Sequence, residues 1–472
     1  VGTVESVSRV VNINKERDQE DGRKLVVVSA FGGVTDQLIE IASRASSGKS
    51  DYRDMLSQLE KRHIDTINAL LPASGRSDLL TDFKITLNEL EDILQGVSLT
   101  RELTAKTLDL IVGFGERFSA CILASVLNSN EVESTYLDTR SVIKTDNHFG
   151  SARVLTAETY QNIRSYVAED GHDVIVATGY IASTINDEST TIGRGGSDYT
   201  ASLFGAALEA DAIEIWTDVD GLMTADPKKV EHAFSVEHAS YEEAMELSHF
   251  GARVIYPPTI QPALRSGIPI WIKNTFRPEH PGTQITKKTG KRGTVIRGIS
   301  SIEQVSLITI KGSGMIGVTG VSSRIFGALA AERINIILIT QSSSEHTITL
   351  AVLPSEAHRA RSAIRAEFEE EFHADSIDEI RVENDLSVIA VVGDNMRQIP
   401  GIAGRVFQAL GRNGINISAI AQGSSERNIS FVVDRKNEKK AMNTLHDAFF
   451  LSGVKTMNLF LVGTGLIGST LL

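Results

Sequence analysis

A chain of 472 residues must hold several domains, because single cores stop growing near about 250–300 residues. Its 41% hydrophobic and 23% charged residues are ordinary globular usage, and a formal net charge of -13 argues against general nucleic-acid binding, which needs a basic footprint. Cys121 is the only cysteine, so no internal disulfide is possible and a reducing compartment is expected; no run of about 20 apolar residues appears, so no membrane span is expected, and no signal peptide is visible.

Along the chain, Leu25-Val-Val-Val-Ser29 reads as a buried strand and Asp36 to Ala45 as the helix after it. Residues 51–128 read as mostly helical, with Leu56, Leu59, Ile64, Ile67 and Leu70 at helical spacing. Val174-Ile-Val-Ala177 reads as a second buried strand. The stretch Thr191-Ile-Gly193-Arg194-Gly195-Gly196-Ser197-Asp198-Tyr199-Thr200 follows, then an amphipathic run through Leu203 and Leu208. Ser197 is expected to cap that helix. Adjacent glycines admit a ligand close to the backbone, and a helix N-terminus suits an anion. Arg194 adds a planar fork for carboxylate or phosphate, and Asp198 suits a cation or an ammonium group. By itself the stretch is equally a plain glycine-rich turn at a helix start.

Ile213 to Trp216 alternates like a strand and leads into a turn rich in Asp and Gly, through Thr217, Asp218, Asp220 and Gly221 to Asp226-Pro227. Strand C-terminal ends in open α/β sheets are where ligands bind. Residues 275–297 carry Arg277, Lys287, Lys288, Lys291 and Arg292 among Gly, Pro and Thr, and read as a linker with a basic, solvated edge.

Residues 305–352 align with 386–433 at a constant offset of 81. The identities include Gly312/Gly393, Gly320/Gly401, Arg324/Arg405, Asn335/Asn416, Gln341/Gln422 and Ser343-Ser-Glu345/Ser424-Ser-Glu426. Each copy reads strand, Gly-containing loop, helix, strand, turn, strand, helix. Finally, Phe460-Leu-Val462-Gly463-Thr-Gly465-Leu-Ile-Gly468 is a short strand followed by G-x-G-x-x-G, the glycine pattern of dinucleotide sites.

Five ordered pieces match one family. Gly193-Arg-Gly-Gly-Ser-Asp-Tyr-Thr200 stands letter for letter as in the aspartokinases. The family's W-T-D-V-x-G and D-P stand at Trp216 to Gly221 and at Asp226-Pro227, and Val28-Ser-Ala-Phe-Gly-Gly-Val-Thr35-Asp36, Gly115-Glu116-Arg117 and Phe250-Gly-Ala-Arg253-Val254 are further matching pieces. The repeats resemble ACT domains, the regulatory amino-acid-binding modules. The order kinase, two ACT copies, then G-x-G-x-x-G is similar to the bifunctional aspartokinase–homoserine dehydrogenases.

The resemblance implies an α/β amino-acid kinase fold, an open, mainly parallel sheet between helices, followed by two α+β ACT domains. It places the kinase in 1–290 with its N-terminal strand missing, the ACT copies in 300–383 and 384–456, and in 457–472 the truncated start of an NAD(P)-binding homoserine dehydrogenase domain. The implied activity is ATP-dependent phosphorylation of the L-aspartate β-carboxylate with Mg-ATP, under allosteric control with threonine as the favoured effector. Homoserine dehydrogenase activity is not expected from these residues.

By the same resemblance, Thr35, Glu116, Arg194, Gly195, Gly196 and Ser197 bind aspartate, with Glu116 towards its ammonium and Arg194 towards a carboxylate. Asp198 organises the transferring group and its Mg²⁺. Thr217, Asp218, Met223, Lys228, Arg253 and Val254 fall on nucleotide-binding positions, and Gln341, Gln422, Asn335 and Asn416 on effector positions. Gly463, Gly465 and Gly468 belong to the dinucleotide fingerprint, and no metal ligand set is assigned. A homo-oligomer built through the ACT copies is expected, in the cytoplasm, or in a plastid if the source is a plant.

The match has departures. Met223, Lys228, Arg253 and Tyr256 stand where the family usually has Tyr, Arg, Lys and His. The family's opening K-F-G-G-T-S strand, whose lysine neutralises phosphate charge, does not occur in the sequence, so negligible kinase activity is expected from residues 1–472 as they stand. Val1 in place of Met leaves room for a targeting segment ahead of it. The alternatives are an amino-acid-sensing ACT module with an inert kinase part, or a sibling kinase acting on acetylglutamate or carbamate.

Overall fold

The computed structural model describes residues 2–17, 22–251, 255–287, 295–315, 319–342 and 347–451. They form two compact units. The first comprises the described residues within 1–222, 235–249 and 253–291, and the second those within 223–234, 250–252 and 292–472.

In the first unit, Val174–Thr178 lies between Lys24–Val28 and Ser134–Leu137, paired in parallel with both. All five residues of this central strand are buried. Side chains alternate across a strand. Val174 and Val176 join one core, with Phe31, Leu38, Leu59, Leu90, Phe118 and Leu123. Ile175 and Ala177 join another, with Ile163, Leu203 and Phe204. Helices Val34–Ser46, Tyr52–Leu70, Arg76–Thr100 and Phe114–Ser129 supply the first core, and Thr156–Glu169 and Gly196–Leu208 the second. A strand covered on both faces reads as a continuous apolar run, as this one does.

Two further sheets complete the unit: Lys144–Thr145, Ile181–Thr184 and Ser189–Thr191; and Ile213–Thr217, Ile270–Asn274, Thr283–Thr286 and His238–Ser240. Pairing is mainly parallel, as expected. The segment 275–297 is not simply a linker. Thr283–Thr286 is an interior strand, with Thr283 and Ile285 buried, because the turn at Gly282 (φ 75) folds it back antiparallel onto Ile270–Asn274. Lys288, Lys291 and Arg292 lie outside the described residues.

The stretch Ala105–Ser129 has the length and mean hydropathy of a membrane span, although Asp109, Glu116 and Arg117 interrupt its apolar residues. It is two helices, Ala105–Val112 and Phe114–Ser129, and 78% of its most apolar window is buried inside the fold. Its hydropathy is that of a core element.

His63 is enclosed in the first core. Its ring stacks on Phe31 at 4.9 Å and Phe83 at 5.6 Å, and Phe118 tilts against it at 5.3 Å. Its Nδ1 lies 2.8 Å from the Leu59 carbonyl.

In the second unit, Gly298–Lys311 pairs antiparallel with Glu379–Val392 at the centre of a six-stranded sheet. The two strands are the same segment of the two repeats, 81 residues apart, so their pairing is pseudo-twofold. Helices Val321–Ala331 and Ile402–Arg412, strands Leu338–Gln341 and Ala419–Ala421, and strands Thr347–Val352 and Asn428–Asp434 keep that offset at their starts. Each copy has its own core, around Ile308, Leu329 and Leu350 or around Ile389, Leu410 and Phe431.

The second core also takes in Ala225 and Val230. Thr224 Oγ1 lies 3.0 Å from His446 Nε2. Lys229 pairs at 2.6 Å with Glu438 and with Glu303, and Asn443 donates to the Lys229 carbonyl at 2.9 Å. Residues 223–234 are therefore held by the helix Glu438–Phe450.

Burial lowers the His63 pKa from 6.5 to about 4. The folded state resists a proton that the unfolded chain accepts, so stability is full above pH 6.5 and falls as pH drops towards 4. The full loss is roughly 3 kcal/mol at 1.36 kcal/mol per unit. His63→Phe should flatten the first unit's thermal stability between pH 7 and 4.5. Parallel melting curves for parent and variant would refute this.

Candidate active site at the C-terminal edge of the parallel sheet

Parallel pairing brings the ends of Lys24–Val28 and Val174–Thr178 side by side, and the N–H of Gly179 donates to the Val28 carbonyl at 2.8 Å. Three segments meet there. Gly33, at φ 81, starts the helix Val34–Ser46, with half-buried Thr35 in its first turn. A Cβ on Gly115 would come 2.8 Å from that of Ala30, so only glycine lets helix Phe114–Ser129 approach the loop at 29–33. A Cβ on Gly179 would lie 2.5 Å from Ser197 Oγ, which seats the 193–198 loop on the same edge.

Glu116 is 3% exposed. Its Oε1 accepts from the Ala30 N–H at 3.3 Å, and its Oε2 has no partner among the described residues. Burial pushes its pKa up to about 7. Arg117, the next residue, turns away to Glu89 (3.1 Å) and lies over the Phe114 ring, so it is structural.

In the loop, Gly193 (φ 77) and Gly195 (φ 69) adopt left-handed backbone. Gly195, not Ser197, stands at the helix N-cap, and no side chain caps it. A serine cap needs extended backbone, whereas the left-handed glycine brings the chain into the helix before Ser197. The Gly196 N–H closes the turn onto the Gly193 carbonyl at 3.1 Å, which leaves those of Ser197 and Asp198 for a ligand. Tyr180 and Tyr256 wall the loop: a Cβ on Gly196 would lie 2.7 Å from the Tyr180 ring, and one on Gly195 2.6 Å from Tyr256. Arg194 is exposed. Burial alone pushes the half-buried Asp198 up to about 6.

Thr217 ends its strand and donates to exposed Asp218 at 3.2 Å. These two belong to the first unit, whereas half-buried Met223 and exposed Lys228 belong to the segment built into the second. Arg253, Val254, Gly463, Gly465 and Gly468 lie outside the described residues. Asn335, Gln341, Asn416 and Gln422 are all exposed; Gln341 ends its strand and Gln422 directly follows its own. Sequence reasoning missed Tyr180, which has a positive φ of 64, and Asp109, a lone acid amid apolar residues.

Among the described residues no group of three or more His, Cys, Asp or Glu is placed to hold a metal ion. A lone carboxylate such as Asp198 suits Mg²⁺, which usually keeps waters and is held by one or two carboxylates plus substrate phosphates.

An unliganded site with a neutralised Glu116 has a measurable signature. The folded state keeps the Glu116 proton between pH 4.5 and about 7, so this stabilisation is present below 4.5 and is lost as pH rises to about 7. Glu116→Gln should raise the unliganded melting temperature at pH 8 and leave it nearly unchanged at pH 4.5. Destabilisation at both would show that the carboxylate is satisfied.

The amino acid kinase family model matches residues 1–274, and an ACT domain model matches 308–368 and 389–449. The chain is 37% identical to a chloroplastic bifunctional aspartokinase/homoserine dehydrogenase of Daucus carota, over 100% of this chain and 52% of that protein. It is 33% identical to chloroplastic aspartokinase 1 of Arabidopsis thaliana, over 91% of this chain and 75% of that one. The chain spans about half the length of the bifunctional relatives. E. coli aspartokinase III in complex with aspartate and ADP superposes with a TM-score of 0.79 at 27% identity, over 95% of this chain and 97% of that one. The same enzyme with lysine and aspartate gives 0.75 at 26% identity, over 95% and 97%.

Proposed function

Since the chain belongs to the amino acid kinase family, among the aspartokinases, we propose that it phosphorylates the β-carboxylate of L-aspartate with ATP, giving 4-phospho-L-aspartate and ADP. This is the first step of the aspartate-derived amino-acid pathway. The observation that carries the reading is Glu116, a buried carboxylate with one oxygen unpartnered, beside a glycine loop that carries an arginine and free helix N–H groups. That combination suits an amino acid bearing further negative charge.

In this reading a β-carboxylate oxygen attacks the γ-phosphorus, and the bond to the β,γ-bridging oxygen breaks as ADP leaves. The carboxylate is ionised at pH 7, so no general base is needed. The barrier is repulsion between anions, and catalysis is positioning and charge neutralisation. Glu116 meets the ammonium, whose charge returns the carboxyl to its ionised form. Arg194 holds a carboxylate through two parallel N–H bonds. Thr35, Gly195, Gly196 and Ser197 line the substrate, and Asp198 faces the transferring group. Mg²⁺, when bound, supplies charge neutralisation there. Thr217, Asp218, Met223, Lys228, Arg253 and Val254 serve the nucleotide. Residues 1–290 form the phosphotransferase, and 457–472 begin an NAD(P)-binding dehydrogenase domain.

The repeats, 300–383 and 384–456, serve as the sensor. Gln341 and Gln422, with Asn335 and Asn416, receive an amino-acid effector, with threonine preferred because of the bifunctional relatives. Ile339 and Ile420, equivalent positions on the strands that flank the six-stranded sheet, are 46% and 43% exposed. Exposed apolar residues at matching sites support pairing with a second copy. The expected location is the cytoplasm, or the plastid in a plant.

With a Lys-Phe-Gly-Gly-Thr-Ser strand joined ahead of Val1, hydroxylamine should trap an acyl phosphate made from L-aspartate and Mg-ATP. Arg194→Ala should raise the aspartate KM and lower kcat, and Asp198→Asn should cut kcat by about 10²–10³ with a smaller change in KM. Equal or faster turnover of N-acetylglutamate or carbamate would overturn the substrate.

Calorimetry of the chain with threonine, lysine and methionine tests the sensor. Gln341→Ala or Gln422→Ala should weaken effector binding about tenfold to a hundredfold, because polar groups on the effector lose their partner. Binding of lysine but not threonine would change the effector. No binding of any amino acid would leave the repeats as a pairing element.

A further inference from the structure

Asp109 sits in helix Ala105–Val112 with Leu108 on one side and Leu110, Ile111 and Val112 on the other. It is 3% exposed. Its Oδ2 accepts from the N–H of Gly150 at 2.8 Å and from that of Thr191 at 3.1 Å. Its Oδ1 accepts from Thr191 Oγ1 at 2.8 Å. A buried carboxylate with three donors is a rigid junction, because each oxygen is committed and the charge is solvated only by these groups.

The three segments it joins carry the site. Its helix passes through Gly113 directly into Phe114–Ser129, which bears Glu116 one turn later. Thr191 ends strand Ser189–Thr191, and Gly193 and Arg194 follow at once. Gly150 belongs to the turn whose Ser151 lies against the loop, since a Cβ on Gly193 would be 3.0 Å from Ser151 Oγ. One carboxylate thus ties the helix of Glu116 to the loop of Arg194 and to the turn beneath that loop.

We propose that Asp109 is a positioning residue that fixes the separation of Glu116 and Arg194, and thereby the length of amino-acid substrate the site accepts. The inference rests on reading those two residues as the ammonium and carboxylate contacts. Aspartate and glutamate differ by one methylene, so a site with a fixed span discriminates between them and a slack one does not. Displacing a substrate-holding group by about 1 Å costs on the order of a hundredfold in rate, and a polar group left unpaired weakens binding about tenfold to a hundredfold.

The test uses the chain with Asp109→Asn and, as a milder variant, Thr191→Val, which keeps the backbone donor and removes only the hydroxyl. Hydrogen exchange of the unliganded protein reads the junction, and calorimetry with L-aspartate, L-glutamate and ADP reads the site. In Asp109→Asn, amides in 192–197 should exchange about tenfold faster or more, aspartate should bind about 10²-fold more weakly, its preference over glutamate should shrink, and ADP affinity should stay within about threefold. Thr191→Val should shift each quantity the same way by a smaller factor, and it carries the test if Asp109→Asn does not fold. Unchanged exchange in 192–197, or equal losses for aspartate and ADP, would overturn the proposal. A parent that binds ADP but neither amino acid would instead sink the substrate reading, and the exchange data would then decide alone whether Asp109 holds the loop.

Discussion

The hydrogen bond from Gly179 to the Val28 carbonyl marks where the parallel sheet ends and its functional edge begins. Two strands that end together project their following loops to the same side. Each loop then needs room, and small residues supply it: Gly179 admits Ser197, and Gly115 admits Ala30. A Cβ at either position would come within 2.8 Å of its neighbour, so helix Phe114–Ser129 or the 193–198 loop would have to shift. The arrangement of this edge therefore depends on strand register first and on side-chain chemistry second.

That edge is electrostatically incomplete. Burial pushes both Glu116 and Asp198 upward in pKa, and no cation among the described residues offsets it. A fold selected only for stability would not keep two such carboxyls beside the uncapped start of a helix. Perturbed groups gathered at one edge are the mark of a site whose missing charges arrive with its ligands. Burial raises the pKa of Asp109 as well, yet both its oxygens are satisfied, so it serves the architecture of the site.

The second unit follows from duplication. Two copies of one segment place their long strands antiparallel at the centre of a shared sheet, and each copy closes its own core beneath it. The copies are not equivalent, because only the second receives Ala225 and Val230 and the ion pair of Lys229 with Glu438. The stretch that bears Met223 and Lys228 thus shares a core with helix Glu438–Phe450.

Much of this was legible in the residues. The apolar run 174–177, the glycine-rich loop and the 81-residue offset each rest on local rules of periodicity, backbone freedom or repetition, and they determined the fold class, the duplication and most of the loop at 193–198. Other features escaped because they are decided by partners far away in the chain. Ser197 looked like a cap until the left-handed glycine before it set the helix start. Thr283–Thr286 looked like linker because its neighbours are basic and polar, and only pairing with Ile270–Asn274 makes it a strand. Glu116 as a buried acid, Asp109 as a junction and the transfer of 223–234 to the second unit depend on contacts across tens to hundreds of residues. Sequence by itself specifies which side chains are available and how the nearby backbone bends. Desolvation and long-range hydrogen bonding, which set charge state and position, exist only once the chain has closed on itself.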